Sequence, residues 1–186
     1  MQKPLSALIL ALLCTTLLTA SSAIYKVTAP QPFAASMHAL KTSLETQHLF
    51  IIAKADISGT LARMKGKLGK DYNKRGYDKV NSIVFCNPFY ANDILNSDPD
   101  MMALCPLKIM LLEKNGKTTA LFVRPTALSG KSPARKILSA VERKVKMALK
   151  AAGFRWITVS SLPFLVPACN AGTNTVLYPN PMSILC

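Results

Sequence analysis

The stretch Leu107-Lys-Ile-Met-Leu-Leu-Glu-Lys-Asn-Gly-Lys-Thr-Thr-Ala-Leu-Phe-Val-Arg124 holds two β-prone runs separated by Asn115-Gly116. Asn and Gly both tolerate positive φ, which a two-residue type I′ turn needs at both central positions, so the spacing predicts a tight hairpin. Its register sets Leu111 opposite Ala120 and Ile109 opposite Phe122. The hairpin implies antiparallel pairing, and the flanking segments supply the rest of the sheet and its cover. On the N-terminal side, Val80–Cys86 reads as a strand that runs into Asn87-Pro88. Asn accepts from an orphan N–H and Pro lacks the N–H that a first turn cannot use, so a short helix follows, ending near Ser97-Asp98-Pro99. On the C-terminal side, a helix is expected from about Pro133 to Ala152, with Ile137, Val141, Val145, Ala148 and Ala152 inward and Lys136, Ser139, Arg143, Lys146 and Lys150 outward, stopped by Gly153.

Further upstream, Ile24–Val27 reads as a short strand. Phe33, Met37, Leu40 and Leu44 recur at helical spacing after Pro32. Leu49–Ala55 reads as a strand with Leu49, Ile51, Ala53 and Ala55 on one side. A helix capped by Asp56 or Ser58 follows, with an apolar stripe of Ile57, Leu61, Met64 and Leu68; a basic loop then runs from Lys70 to Lys79. Trp156–Val159 is a candidate last strand. The order is roughly β-α-β-α-β-α-β-β-α, which predicts an α+β fold: one sheet with a late hairpin and helices mainly on one face, a two-layer sandwich.

The chain has 186 residues, half of them hydrophobic. That is enough for one domain with a core, and it is not the composition of a disordered chain. Lys and Arg total 23 against 9 Asp and Glu, a net charge of +14, and Glu142 is the last acid. Such an excess favours acidic proteins or anionic membrane surfaces, although a basic solvated surface produces the same composition. The N-terminus is organised as a targeting segment: Lys3 supplies positive charge, Leu5–Leu18 carries none, and Ser21-Ser22-Ala23 offers small residues for cleavage. Residues 1–23 are therefore expected to be a signal peptide, 24–153 the folded domain and 154–186 a tail. The expected localisation is periplasmic or secreted, with a membrane anchor by an uncleaved signal as the alternative. Cys14 lacks the small preceding residue that lipid modification needs.

Cleavage leaves Cys86, Cys105, Cys169 and Cys186 in an oxidising compartment. Three connectivities exist for two disulfides; proximity in sequence favours Cys86–Cys105 and Cys169–Cys186, the second tying down the tail and contributing about 3 kcal/mol. Cys86 and Cys105 as free, packed thiols are the alternative.

Phe85-Cys86-Asn87-Pro88, Leu95 with Asp98-Pro99, Cys105-Pro106-Leu107-Lys108-Ile109 and Glu113–Lys117 together resemble the domain-of-unknown-function 302 family. The likeness covers about residues 33–126 and extends toward 152. It implies a small α+β domain, in part exported and often self-associating, and it assigns no activity and no catalytic residue. In the family pattern a Cys usually follows the Pro at the start of the hairpin, whereas Cys105 precedes Pro106 here, a departure that counts against a thiol role common to the family.

No catalytic set is legible. There is no Gly-x-Ser-x-Gly elbow. His38 and His48 lack the spacing of a helical metal pair, so no metal and no cofactor are expected. Gly66-Lys67-Leu68-Gly69 has the spacing of a backbone-clamping loop, but it reads more simply as a frayed helix end, and no nucleic-acid partner is expected for an exported chain. Two readings stand. The first is a non-enzymatic exported module that binds an acidic protein, an anionic lipid or a small ligand, with Lys136, Arg143, Lys146 and Lys150 as anion-binding candidates. The second is a thiol redox protein using Cys86 and Cys105, in which the helix N-terminus beside Cys86 favours the thiolate.

Overall fold

The hairpin forms as its residues dictate. In a computed structural model that describes residues 22–156, Asn115 and Gly116 take φ of 53° and 69°. They join β4 (Leu107–Lys114) to β5 (Lys117–Val123), with Leu111 opposite Ala120 and Ile109 opposite Phe122. The remaining elements, in chain order, are β1 (Ile24–Ala29), α1 (Phe33–Thr46), β2 (Phe50–Asp56), α2 (Ile57–Arg63), α3 (Lys65–Leu68), a 3₁₀ turn (Gly69–Asp71) and β3 (Lys79–Cys86). After β3 come α4 (Pro88–Ser97), a 3₁₀ segment (Pro99–Leu104), the hairpin, α5 (Pro125–Leu128) and α6 (Arg135–Ala151). The strands form one antiparallel sheet in the order β1-β5-β4-β3-β2. The fold is α+β, with helices packed against this sheet.

Register carries the core across the sheet. Ile83, Ile109 and Phe122 lie side by side on three strands, as do Leu111, Ala120 and Val27, and all are buried. Against them pack Leu40 and Leu44 of α1 and Val141, Val145, Ala148 and Leu149 of α6. A smaller cluster of Ile94, Ala134 and Leu138 joins α4 to α6, with Cys105 packed against it. The other sheet face presents Val84, Met110, Leu112 and Leu121 half-buried.

Three local expectations change. In β2 the alternation breaks: Ile51 pairs with Phe85 but Ala53 pairs with Val84, so Ile52 is an extra residue in a bulge. One added residue reverses which side later residues face, so Ala53 and Ala55 leave the side of Leu49 and Ile51. The α2 region is two short pieces rather than one helix. The chain tightens where Met64 N–H donates to Leu61 O (3.0 Å), and Gly69 takes φ 53°. No residue of α2 or α3 is buried, so the stripe at helical spacing does not enter the core. On α6 the buried positions are Leu138, Val141, Glu142, Val145, Ala148 and Leu149, with Ile137 only half-buried. The expected strand at 156–159 lies almost wholly outside the described residues; before it, Arg155 forms an isolated bridge with Thr28. The signal peptide, the tail beyond 156 and the Cys169–Cys186 pair also lie outside the described residues.

Gly116 and Gly66 both have open space where a Cβ would stand, so substitution there tests backbone conformation alone. Gly116→Ala forces a left-handed conformation on a residue with a Cβ and should cost about 1 kcal/mol. Gly66→Ala, inside α3, should stabilise by about 0.5 kcal/mol. Urea unfolding followed by circular dichroism checks both signs.

Candidate functional site

The N-terminus of α4 is built by Asn87. Its Oδ1 accepts from Tyr90 N–H (3.0 Å) and its Nδ2 donates to His48 O (2.8 Å). One side chain therefore caps the helix and clasps the α1–β2 turn, where His48 holds φ 57°. Cys86 precedes this clasp at the end of β3, and Cys105 ends the 3₁₀ segment before β4, joined to Pro106 by a cis peptide bond. Cys86 and Cys105 line one small pocket, together with Leu49, Phe85, Tyr90, Leu107 and other apolar groups. The pocket has about 20 Å³ of free space, on the order of one water. Both cysteines are free thiols, so the bridge expected between them is not formed in this structure. Burial pushes the Cys105 thiol up from its ordinary range, and Cys86 beside it adds to the shift. A wider depression that shares Asn87 and Tyr90 adjoins the pocket, lined by His48, Phe50, Phe89, Asp93 and Lys144. Phe89 in it is 76 % exposed.

The four anion-binding candidates do not act as one row. Lys136, Arg143 and Lys150 are exposed and have no ion-pair partner among the described residues, and Arg143 donates to Ser139 Oγ (3.0 Å). Lys136, Ser139 and Arg143 line an open hollow with Arg135, which spends its Nη1 on Thr126 O, Ser129 Oγ and Gly130 O. Lys146 is different: it turns back to Glu142 Oε1 (2.6 Å) and stands over the Tyr25 ring.

Glu142 is the centre that sequence reading missed. In the sequence it stands out only as the last acid of the chain, and here it is only 4 % exposed. It accepts from Arg124 Nε (2.9 Å), Lys146 Nζ and Thr126 N–H (3.1 Å). Burial alone would raise its carboxyl; the bonds from Lys146, Thr126 and Arg124 outweigh this and hold it at about 2, below the ordinary 4.5. The i,i+4 pair Glu142/Lys146 was legible in the sequence, but Arg124 and Thr126 arrive only through the fold. Of the remaining candidates, His38 and His48 are both exposed. Gly66 and Gly69 lie on the exposed segment that follows α2.

The comparisons with known proteins agree with this architecture. The model of the family described as "Domain of unknown function DUF302" matches residues 25–154. The chain belongs to the DUF302 family. A crystal structure of an uncharacterized conserved DUF302 protein from Bacillus stearothermophilus superposes with a TM-score of 0.62 at 19% identity, covering 71% of this chain and 99% of that one. At that identity the match speaks to the shared fold. No curated protein matches.

Because the Glu142 carboxyl is depressed in the folded state, its contribution to stability is present above about pH 4.5 and is lost as pH falls toward 2. Glu142→Gln should cost about 2 kcal/mol near neutral pH, a figure tempered by the partial exposure of Arg124 and Lys146. It should also flatten the acid limb of stability against pH. Urea midpoints of parent and variant between pH 3 and 7 measure both.

Proposed function

We propose that this DUF302 domain is an extracytoplasmic thiol–disulfide exchange module built on Cys86 and Cys105. The observation that carries the reading is that two free thiols from separate elements line one small, largely apolar pocket. Their environments suit different steps. Cys86 stands ahead of a capped helix N-terminus beside the Phe50/Phe89 depression, where an extended segment of a partner has room to approach. Cys105 is the thiol pushed up by burial, which suits a resolving group rather than an attacking one.

The exchange balances as follows. The Cys86 thiolate attacks one sulfur of a disulfide in a partner protein, forming a mixed disulfide and releasing the partner's other sulfur as a thiolate. The Cys105 thiolate then attacks Cys86, closing a Cys86–Cys105 disulfide and releasing the second partner thiolate. The protons lost by the two cysteines pass to the two partner thiols. The partner disulfide is reduced by two electrons and the domain is oxidised by two. Export after cleavage near Ala23 belongs to the same proposal, since the pair then meets disulfide partners, and so does the self-association that the family likeness implies.

A second reading, a non-enzymatic module for an acidic protein or anionic surface, is favoured by the exposed cations Lys136, Arg143 and Lys150, which have no ion-pair partner among the described residues.

Glutathione disulfide serves as the probe of the thiol reading. Treated full-length parent should yield a species two hydrogens lighter that maps to Cys86–Cys105, whereas Cys105→Ser should accumulate a glutathione adduct on Cys86. Intact-mass analysis and peptide mapping report both, and on protein from its own host they also report cleavage. Thiols inert to the probe in the folded chain, or oxidation that pairs Cys86 with Cys169 or Cys186, would sink the reading.

A further inference from the structure

We propose that α2, α3 and the turn after them form a docking surface for anionic phospholipid membranes. This is independent of the thiol chemistry, and it places the anionic contact on a different surface from the α6 cations of the second reading. Every residue from Leu61 to Lys70 is exposed. Within that run Leu61, Met64 and Leu68 are 39 %, 41 % and 38 % exposed. An apolar stripe at this spacing ordinarily faces a core, but here no residue of either helix is buried.

The charge around the stripe identifies what would cover it. Residues 57–79 hold seven Lys and Arg against two Asp. Both acids are engaged: Asp71 pairs with Lys74, and Asp78 Oδ2 accepts from Asn115 N–H (2.9 Å). Lys65 stands over the Tyr72 ring, and Arg63 donates to Thr60 Oγ1. Asp56, the cap of α2, adds a third acid that Lys79 and Arg63 face, while Lys67, Lys70 and Arg75 have no ion-pair partner among the described residues. Three apolar side chains among unneutralised cations have the chemistry of an interfacial segment: the apolar groups enter the headgroup–acyl boundary while the ammoniums meet lipid phosphate. A second copy fits poorly, because a two-fold interface would set this positive lobe against itself.

The test uses full-length protein and vesicles of phosphatidylcholine with or without phosphatidylglycerol. Every chain carries the same N-terminal stretch, so differences between variants report the lobe. Lys65→Gln/Lys67→Gln/Lys70→Gln should lower partitioning onto the anionic vesicles about a hundredfold, on the order of fivefold per cation. Leu61→Ser/Met64→Ser/Leu68→Ser should lower it on the order of tenfold. Lys108→Gln/Lys131→Gln, exposed cations outside residues 57–79, should leave it unchanged, and Lys136→Gln/Arg143→Gln/Lys150→Gln, which sets the α6 cations of the second reading against the lobe, should lower it far less than the lobe variants. All substituted side chains are exposed, so thermal midpoints should hold. Loss only in the α6 variant would overturn the lobe assignment and keep an anionic surface on α6. Partitioning that ignores both phosphatidylglycerol and every substitution would overturn the lobe and the anionic-partner reading together. Dissociation of an oligomer by the Ser variant with vesicle binding intact would assign the stripe to a second copy.

Discussion

Everything in this domain is referred to the register of β4 against β5. A slip of one residue would turn the core residues of one strand, Ala120 and Phe122 of β5 for example, to the other face and set Thr119, Leu121 and Val123 under α1 and α6 in their place. The Asn115-Gly116 turn prevents the slip by accepting only one pairing. β1 and β3 inherit that register from the two hairpin strands, and β2 inherits it from β3 until the bulge at Ile52. The sheet is therefore well specified at its centre and least so at the β2 edge, next to the segment that leaves the core entirely.

Charge is arranged unevenly for a chain of +14. At Glu142 one buried carboxylate holds Arg124 and Lys146 and draws in the Thr126 amide, so α6 is tied to the end of β5 by charge as well as by packing. This network withdraws Lys146 from the basic face. Around Leu61–Lys70 the opposite holds: cations stand beside exposed apolar side chains, with their few acids already engaged. The two regions differ in kind, one cohering the fold and the other facing outward.

The thiol pocket shows how a site arises from topology. Residues 86 and 105 are separated by a helix and a 3₁₀ segment, and the antiparallel pairing of β3 with β4 brings the end of one strand beside the start of the next. Asn87 then fixes the helix between them by bonding both to its own first turn and to the α1–β2 corner. A cap residue thus also positions the pocket that the two cysteines line.

From the residues alone, the hairpin and its register, the Asn87-Pro88 helix start, the long final helix and the α+β class with its family likeness are all legible. Each depends on local chemistry: a turn that needs positive φ, a cap, a period of 3.6 or 2. Only the tertiary structure decided that Glu142 is buried, that Lys146 is spent on it, that a bulge reverses Ala53 and Ala55, and that the Leu61 stripe stays outside. Periodicity shows that a helix has an apolar side but not whether another element arrives to cover it. The charge state and burial of a side chain are likewise set by neighbours brought from distant parts of the chain.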